Sequence, residues 1–109
     1  MKMIMAVINE DRLGEVINAL LQNNISGITI SDTRGFGNIP LKTELDPNCL
    51  NKKVKLEIVV SNERYKKLAM DIIIENAHDL NKGAGKIFVY NIDEVYRIRT
   101  GEKDEEALR

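Results

Sequence analysis

With 109 residues, 43% hydrophobic and 30% charged, the chain has the size and composition of one globular domain, able to bury a core but with no room for a second. Its 17 acidic and 16 basic residues nearly cancel, so no bulk charge draws it to nucleic acid or an anionic membrane, and any anion site has to be a local cluster. No apolar run approaches the roughly 18 residues of a membrane span, aromatics are scarce, and the single cysteine, Cys49, allows no internal disulfide, which predicts a soluble cytoplasmic chain with no membrane insertion and few stacking platforms for nucleic acid.

The opening apolar run, Met3 to Ile8, turns polar at Asn9, which predicts a buried strand rather than a signal peptide. Asn9 and Asp11 are candidate caps for an amphipathic helix in which Leu13, Val16, Ile17, Leu20 and Leu21 recur at spacings of three and four, ending near Asn23 and Asn24. A turn at Gly27 leads into a second strand, Ile28 to Arg34, whose β-branched residues alternate. Val54, Leu56, Ile58 and Val60 alternate against Lys55, Glu57 and Val59, so a third strand with one partly polar face follows. Ser61 and Asn62 are then candidate caps for a second helix whose apolar positions are Tyr65, Leu68, Ala69, Ile72, Ile73 and Ala77. Lys86 to Tyr90 is the fourth strand.

Strand, helix, strand, repeated, is the ferredoxin-like split βαβ arrangement, which predicts an α+β domain with a four-stranded antiparallel sheet and both helices on one face. Nothing else in so short a chain can cover the other face, so another subunit is expected to do so. Two segments fall outside that minimal fold. Gly35 to Lys53 holds two glycines, two prolines and no sustained period, too long for a plain connection and too apolar, with Ile39, Leu41, Leu45 and Leu50, for an indifferent linker. The tail after Tyr96 mixes charge with few apolar anchors, and its last residues are expected to be mobile.

The chemistry-bearing stretch lies between Asp79 and Glu102. Gly83 and Gly85 can turn the backbone and aim amide N–H groups at an anion, while Lys86, Arg97 and Arg99 supply charged donors. Each feature also has a plainer reading. A G-x-G-K turn is a common entry to a strand, and the arginines could pair with the acidic run Glu102 to Glu106. No catalytic constellation is visible: His78 is the only histidine, and no Ser or Cys nucleophile has a base beside it, so the chain is not expected to be an enzyme. An acylphosphatase-like site would need a glycine cradle with its arginine, and Asn9 to Gly14 offers only Arg12. An RNA-binding sheet would need aromatics on both central strands, and Met3 to Ile8 has none to match Phe88 and Tyr90.

The stretches Gly27-Ile28-Thr29, Gly35-Phe36-Gly37, Thr43-Glu44-Leu45, Val54 to Val60, Gly83 with Gly85 to Val89, and Arg97 to Glu102 resemble the PII family of nitrogen-regulatory signal-transduction proteins nearly end to end. The resemblance implies a compact homotrimer with an adenine nucleotide (ATP, ADP or AMP) in clefts between neighbouring subunits. It also makes Gly35 to Lys53 the T-loop that docks on a target protein, such as an ammonium channel or other membrane transporter, and Asp79 to Lys86 a phosphate-binding B-loop followed by a C-terminal tail, 97–109. By that resemblance Gly27 and Thr29 lie against ribose and adenine, and Glu57 and Val59 complete the base pocket. Gly35, Gly37, Asn38, Gly83, Gly85 and Lys86 stand at the phosphates, with Arg97 and Arg99 reaching in from a neighbour, and Lys53 falls where a lysine meets 2-oxoglutarate.

The departures from the family pattern carry expectations of their own. Asn38 and Ile39 replace an arginine that helps hold phosphates and a glutamine that ligates magnesium, and isoleucine has no metal-binding atom, so Mg²⁺-dependent 2-oxoglutarate binding is expected to be weak or absent. Asp79 and Asn81 stand where threonine and lysine are usual, and an aspartate there favours a nucleotide of lower charge, such as ADP, AMP or a cyclic nucleotide. The loop is short and has no tyrosine, which removes the uridylylation switch. The alternative reading is a structural trimer of the metal-tolerance type, which would have no use for convergent Lys86, Arg97 and Arg99.

Overall fold

The computed structural model describes residues 1–37, 44, 46, 50–79 and 84–109. Strand β1 (Lys2–Asn9) leads through a 3₁₀ turn, Glu10–Arg12, into helix α1 (Leu13–Gln22), and β2 (Ile28–Gly35) follows. The second unit is β3 (Asn51–Val60), α2 (Glu63–Ala77) and β4 (Gly85–Asn91), and a 3₁₀ helix, Asp104–Leu108, closes the chain. The sheet order is β2-β3-β1-β4. Every neighbouring pair is antiparallel, so each helix joins two parallel strands that straddle a third. This is the expected ferredoxin-like α+β fold.

Strand alternation decides which residues make the core. Ile4, Ala6 and Ile8 of β1 and Val54, Leu56, Ile58 and Val60 of β3 are buried under the helices. Val16 and Leu20 of α1 and Ala69, Ile72, Ile73 and Ala77 of α2 meet them, with Ile25 sealing the α1–β2 connection. Each fully buried Leu or Ile contributes roughly 1.5–3 kcal/mol of hydrophobic stabilisation. Among the described residues nothing covers the opposite face. It presents Met3, Met5 and Val7 from β1, Val59 from β3, and Phe88 and Tyr90 from β4, the last two still 46% and 45% exposed.

Three local expectations are corrected. Asn9 and Asp11 do not cap α1, because the 3₁₀ turn feeds straight into the helix with Arg12 already helical at its N-cap position. The Asn9 side chain instead accepts a hydrogen bond from Lys53 Nζ, the β1–β3 register setting the two residues opposite each other. The long connection is also shorter at both ends than its composition suggests, because Gly35 pairs with Asn51 and Arg34 with Lys52 in the β2–β3 ladder. Of the expected loop, 38–43, 45 and 47–49 lie outside the described residues, as do Gly83 and the rest of 80–83. Finally, the tail is folded: Tyr96 bridges to Lys103, Asp104 N donates to Val95 O at 2.7 Å, and Val95 N donates to Asp104 Oδ1 at 3.1 Å. Its order comes from polar bonds, which a search for apolar anchors cannot see.

Candidate functional site

The β2–β3 ladder brings one set of expected residues together. Thr29 lies directly opposite Glu57, and Ile28 opposite Ile58, so Gly27 enters the ladder beside Val59. Gly27 takes a left-handed φ of +70°, which lets the chain turn into β2 without side-chain strain. Glu57 is tied to Lys55 of its own strand at 3.5 Å. Thr29, Glu57 and Val59 all point to the uncovered sheet face, Val59 at the Met1 end of the sheet opposite Met3 and the Thr29–Glu57 pair level with Met5 near its middle.

Gly35, Gly37, Lys53, Gly85 and Lys86 belong to the opposite end. Gly85 pairs with Ile8 at the start of β4 with φ +118°, and a Cβ there would lie 1.9 Å from Val7 O. The glycine expected to offer an amide to an anion is thus required first by a close crossing of two backbones, a demand that a turn motif does not announce. The next residue, Lys86, pairs with Val7, which pairs on its other side with Lys55. These two lysines therefore project on the uncovered face about 10 Å apart across β1. Lys86 makes no hydrogen bond or ion pair among the described residues, whereas Lys53 is engaged by Asn9. Asn38 and Gly83 lie outside the described residues.

The two arginines of the tail differ sharply. Arg97 is held by its own segment: Nη1 meets Glu102 Oε1 at 2.9 Å, and Nη2 donates to Ala107 O at 3.3 Å and to Arg109 O. Pairing within the acidic tail, the plainer of the two readings, thus describes Arg97 within this chain. Arg99 is exposed and makes no polar contact among the described residues. The tail is rooted beside the N-terminus, where Ile92 N donates to Met1 O at 3.2 Å and Met1 shares a shallow depression with Lys103, Asp104, Glu105 and Glu106. The seven residues of β4, Gly85 to Asn91, run from the far end of the sheet to that root, about 20 Å of extended strand. A second depression is lined by Asn9, Glu10, Asp11 and Lys52. Neither depression is lined by Thr29, Glu57, Lys86 or Arg99. Among the described residues no three His, Cys, Asp or Glu side chains stand close enough to hold a metal ion.

Comparison with known proteins identifies relatives of this chain. Residues 1–102 match the family model described as Nitrogen regulatory protein P-II. The chain is 42% identical over 113 aligned positions to the nitrogen regulatory protein P-II of Haemophilus influenzae, which covers 99% of this chain and 100% of that protein. It is 40% identical, with the same coverage, to those of Pasteurella multocida and Synechocystis sp.. The 113 aligned positions exceed the 109 residues present, so these relatives carry residues that this chain lacks.

Proposed function

This chain belongs to the P-II family of nitrogen regulatory proteins, and from that premise we propose that it assembles as a homotrimer and binds an adenine nucleotide in the clefts between protomers. Proteins of this family are regulatory signal transducers that act on target proteins. The single observation that carries the reading is the division of the charged residues within one protomer. Lys86 and Arg99, both without a partner among the described residues, belong to segments rooted at opposite ends of β4. A phosphate group can gather both most directly when they come from different copies.

The remaining roles are those the family resemblance implies. Thr29, Glu57, Gly27 and Val59 form the base and ribose side, and the backbone at Gly35 and Gly37, with Asn38, Gly83, Gly85 and Lys86, forms the phosphate side. Arg99, with Arg97 behind it in the turn, reaches in from a neighbour. Water is partly excluded from such a cleft, so charged hydrogen bonds there are stronger than at an open surface. Gly35 and Gly37 also stand at the root of the 35–53 loop, so the nucleotide that occupies the cleft selects among loop conformers of differing affinity for the target. A partner that prefers the same conformer must then tighten nucleotide binding by the same factor. A membrane transporter such as an ammonium channel is the class of target proposed.

The donor set does not fit 2-oxoglutarate. Lys53 is engaged by Asn9, and Ile39 has no atom that can ligate Mg²⁺. Titration calorimetry with ATP, ADP, AMP and cyclic AMP, each with and without Mg²⁺ and 2-oxoglutarate, tests the proposal. Saturable binding of at least one adenine nucleotide is expected, weakened about tenfold or more in Lys86→Ala and in Arg99→Ala, a change of about 1.4 kcal/mol or more for each. 2-Oxoglutarate should add little. An assembled protein that binds none of these nucleotides would sink the reading, and tight Mg²⁺-dependent 2-oxoglutarate binding would reverse the conclusion drawn from Ile39.

A further inference from the structure

We propose that Ile98 seats the C-terminal turn on the uncovered sheet face of a second copy of this chain, and thereby sets where Arg99 stands in the cleft. The inference rests on the inter-protomer reading above and names the residue that makes it geometrically possible.

Ile98 lies at the tip of a turn that is built with care. Arg97 N donates to Glu102 O and Gly101 N to Arg97 O, both at 2.8 Å, and Gly101 closes the turn with φ +75°. Glu102 Oε1 accepts from Arg97 at 2.9 Å and from Thr100 Oγ1 at 2.8 Å. What this scaffold displays is an isoleucine with a relative exposure of 102%, set between two arginines. Turn tips that end in water are ordinarily made of Gly, Asn, Asp and Ser. A fully solvated isoleucine adds nothing to the stability of the protomer, and held rigid it is a knob for an apolar surface.

The same chain carries that surface. Met3, Met5, Val7, Phe88 and Tyr90 form the apolar centre of the uncovered face, with Phe88 and Tyr90 nearly half exposed. Knob and face are different patches of one molecule, so each copy can present its turn to the next, the head-to-tail contact from which closed rings are made. Lys86 lies on that face two residues from Phe88. With Ile98 resting against Phe88, the following residue, Arg99, comes within side-chain reach of the Lys86 ammonium. Two cations repel at that distance, so the approach has to be carried by the apolar contact and completed by an anion between them. Ile98 is thus a positioning residue, acting through Arg99 on the phosphate.

The test measures the mass of the assembly by light scattering and ATP and ADP affinity by calorimetry. It compares wild type, Ile98→Ser, Ile98→Val, Arg99→Ala and the Ile98→Ser/Arg99→Ala double variant. Ile98→Ser should unfold as cooperatively as wild type, since the side chain is fully exposed in the protomer, yet bind nucleotide about tenfold more weakly or worse. Ile98→Val should stay within about twofold of wild type, and the double variant should bind no more weakly than Ile98→Ser, because the two losses share one contact. Wild-type affinity in Ile98→Ser, or losses that multiply in the double variant, overturns the positioning role and leaves the cleft reading intact. A wild type that binds no adenine nucleotide overturns both.

Discussion

A residue type can be demanded by two different needs, and Gly85 separates them. Its place in the G-x-G-K stretch suggests an amide free to meet an anion, whereas the structure requires glycine because a Cβ would stand 1.9 Å from Val7 O at a φ of +118°. Gly85→Ala must therefore move a backbone strand, not merely a flexible side chain. The expected cost is roughly 3 kcal/mol or more, read as a fall in the urea midpoint, and a variant as stable as wild type would refute the close crossing. Arg97 and Arg99 make the same point from the charged side. They are two residues apart and chemically alike in the sequence, but Arg97 is bound to Glu102 and to carbonyls of its own tail while Arg99 has no such partner. Which arginine is committed depends on the hairpin that Gly101 and Thr100 close, so the two could not be told apart before the turn was known.

The elements were legible wherever periodicity and burial agree. α2 starts where Asn62 was expected to cap it, with Oδ1 accepting from Tyr65 N at 3.0 Å, and Glu63 lies in its first turn. A hydrogen bond from Lys66 is the main cause that holds the Glu63 carboxyl below the ordinary glutamate range. Asn62→Ala should cost about 1 kcal/mol and lower the thermal midpoint by several degrees, while Asn62→Asp or Asn62→Ser should lose little. Equal stability of the alanine variant would show that the cap contributes nothing. Cap chemistry failed at α1 because a 3₁₀ turn precedes that helix and relieves Asn9 of the task, leaving its side chain to Lys53 on the neighbouring strand. The ends of β2 and β3 were missed for a related reason. Asn51, Lys52 and Lys53 have no strand pattern of their own and are extended because they pair with Gly35, Arg34 and Thr33.

At the scale of the whole molecule, the described residues leave one sheet face covered and one uncovered, and that asymmetry is where assembly enters. A charge placed in the apolar centre of the open face should prevent association while sparing the core beneath the helices. Met5→Asp is accordingly expected to shift the mass measured by light scattering from the proposed trimer to the single chain, and a variant that keeps the wild-type mass would remove this face from the interface. The four strands, the two α-helices, their order and the alternation of β3 were determined by the sequence alone, because periods of two and of three to four are local properties that survive without knowing the partner. So was the family, since its motifs run through nearly the whole chain. Tertiary structure alone decided that Thr29 faces Glu57, that Gly85 is pressed on Val7, and that the charged groups of one chain stay divided between the two ends of the sheet. Those facts depend on strand register and on where the tail folds back, and both arise from pairings between residues far apart in the chain, which no local pattern encodes.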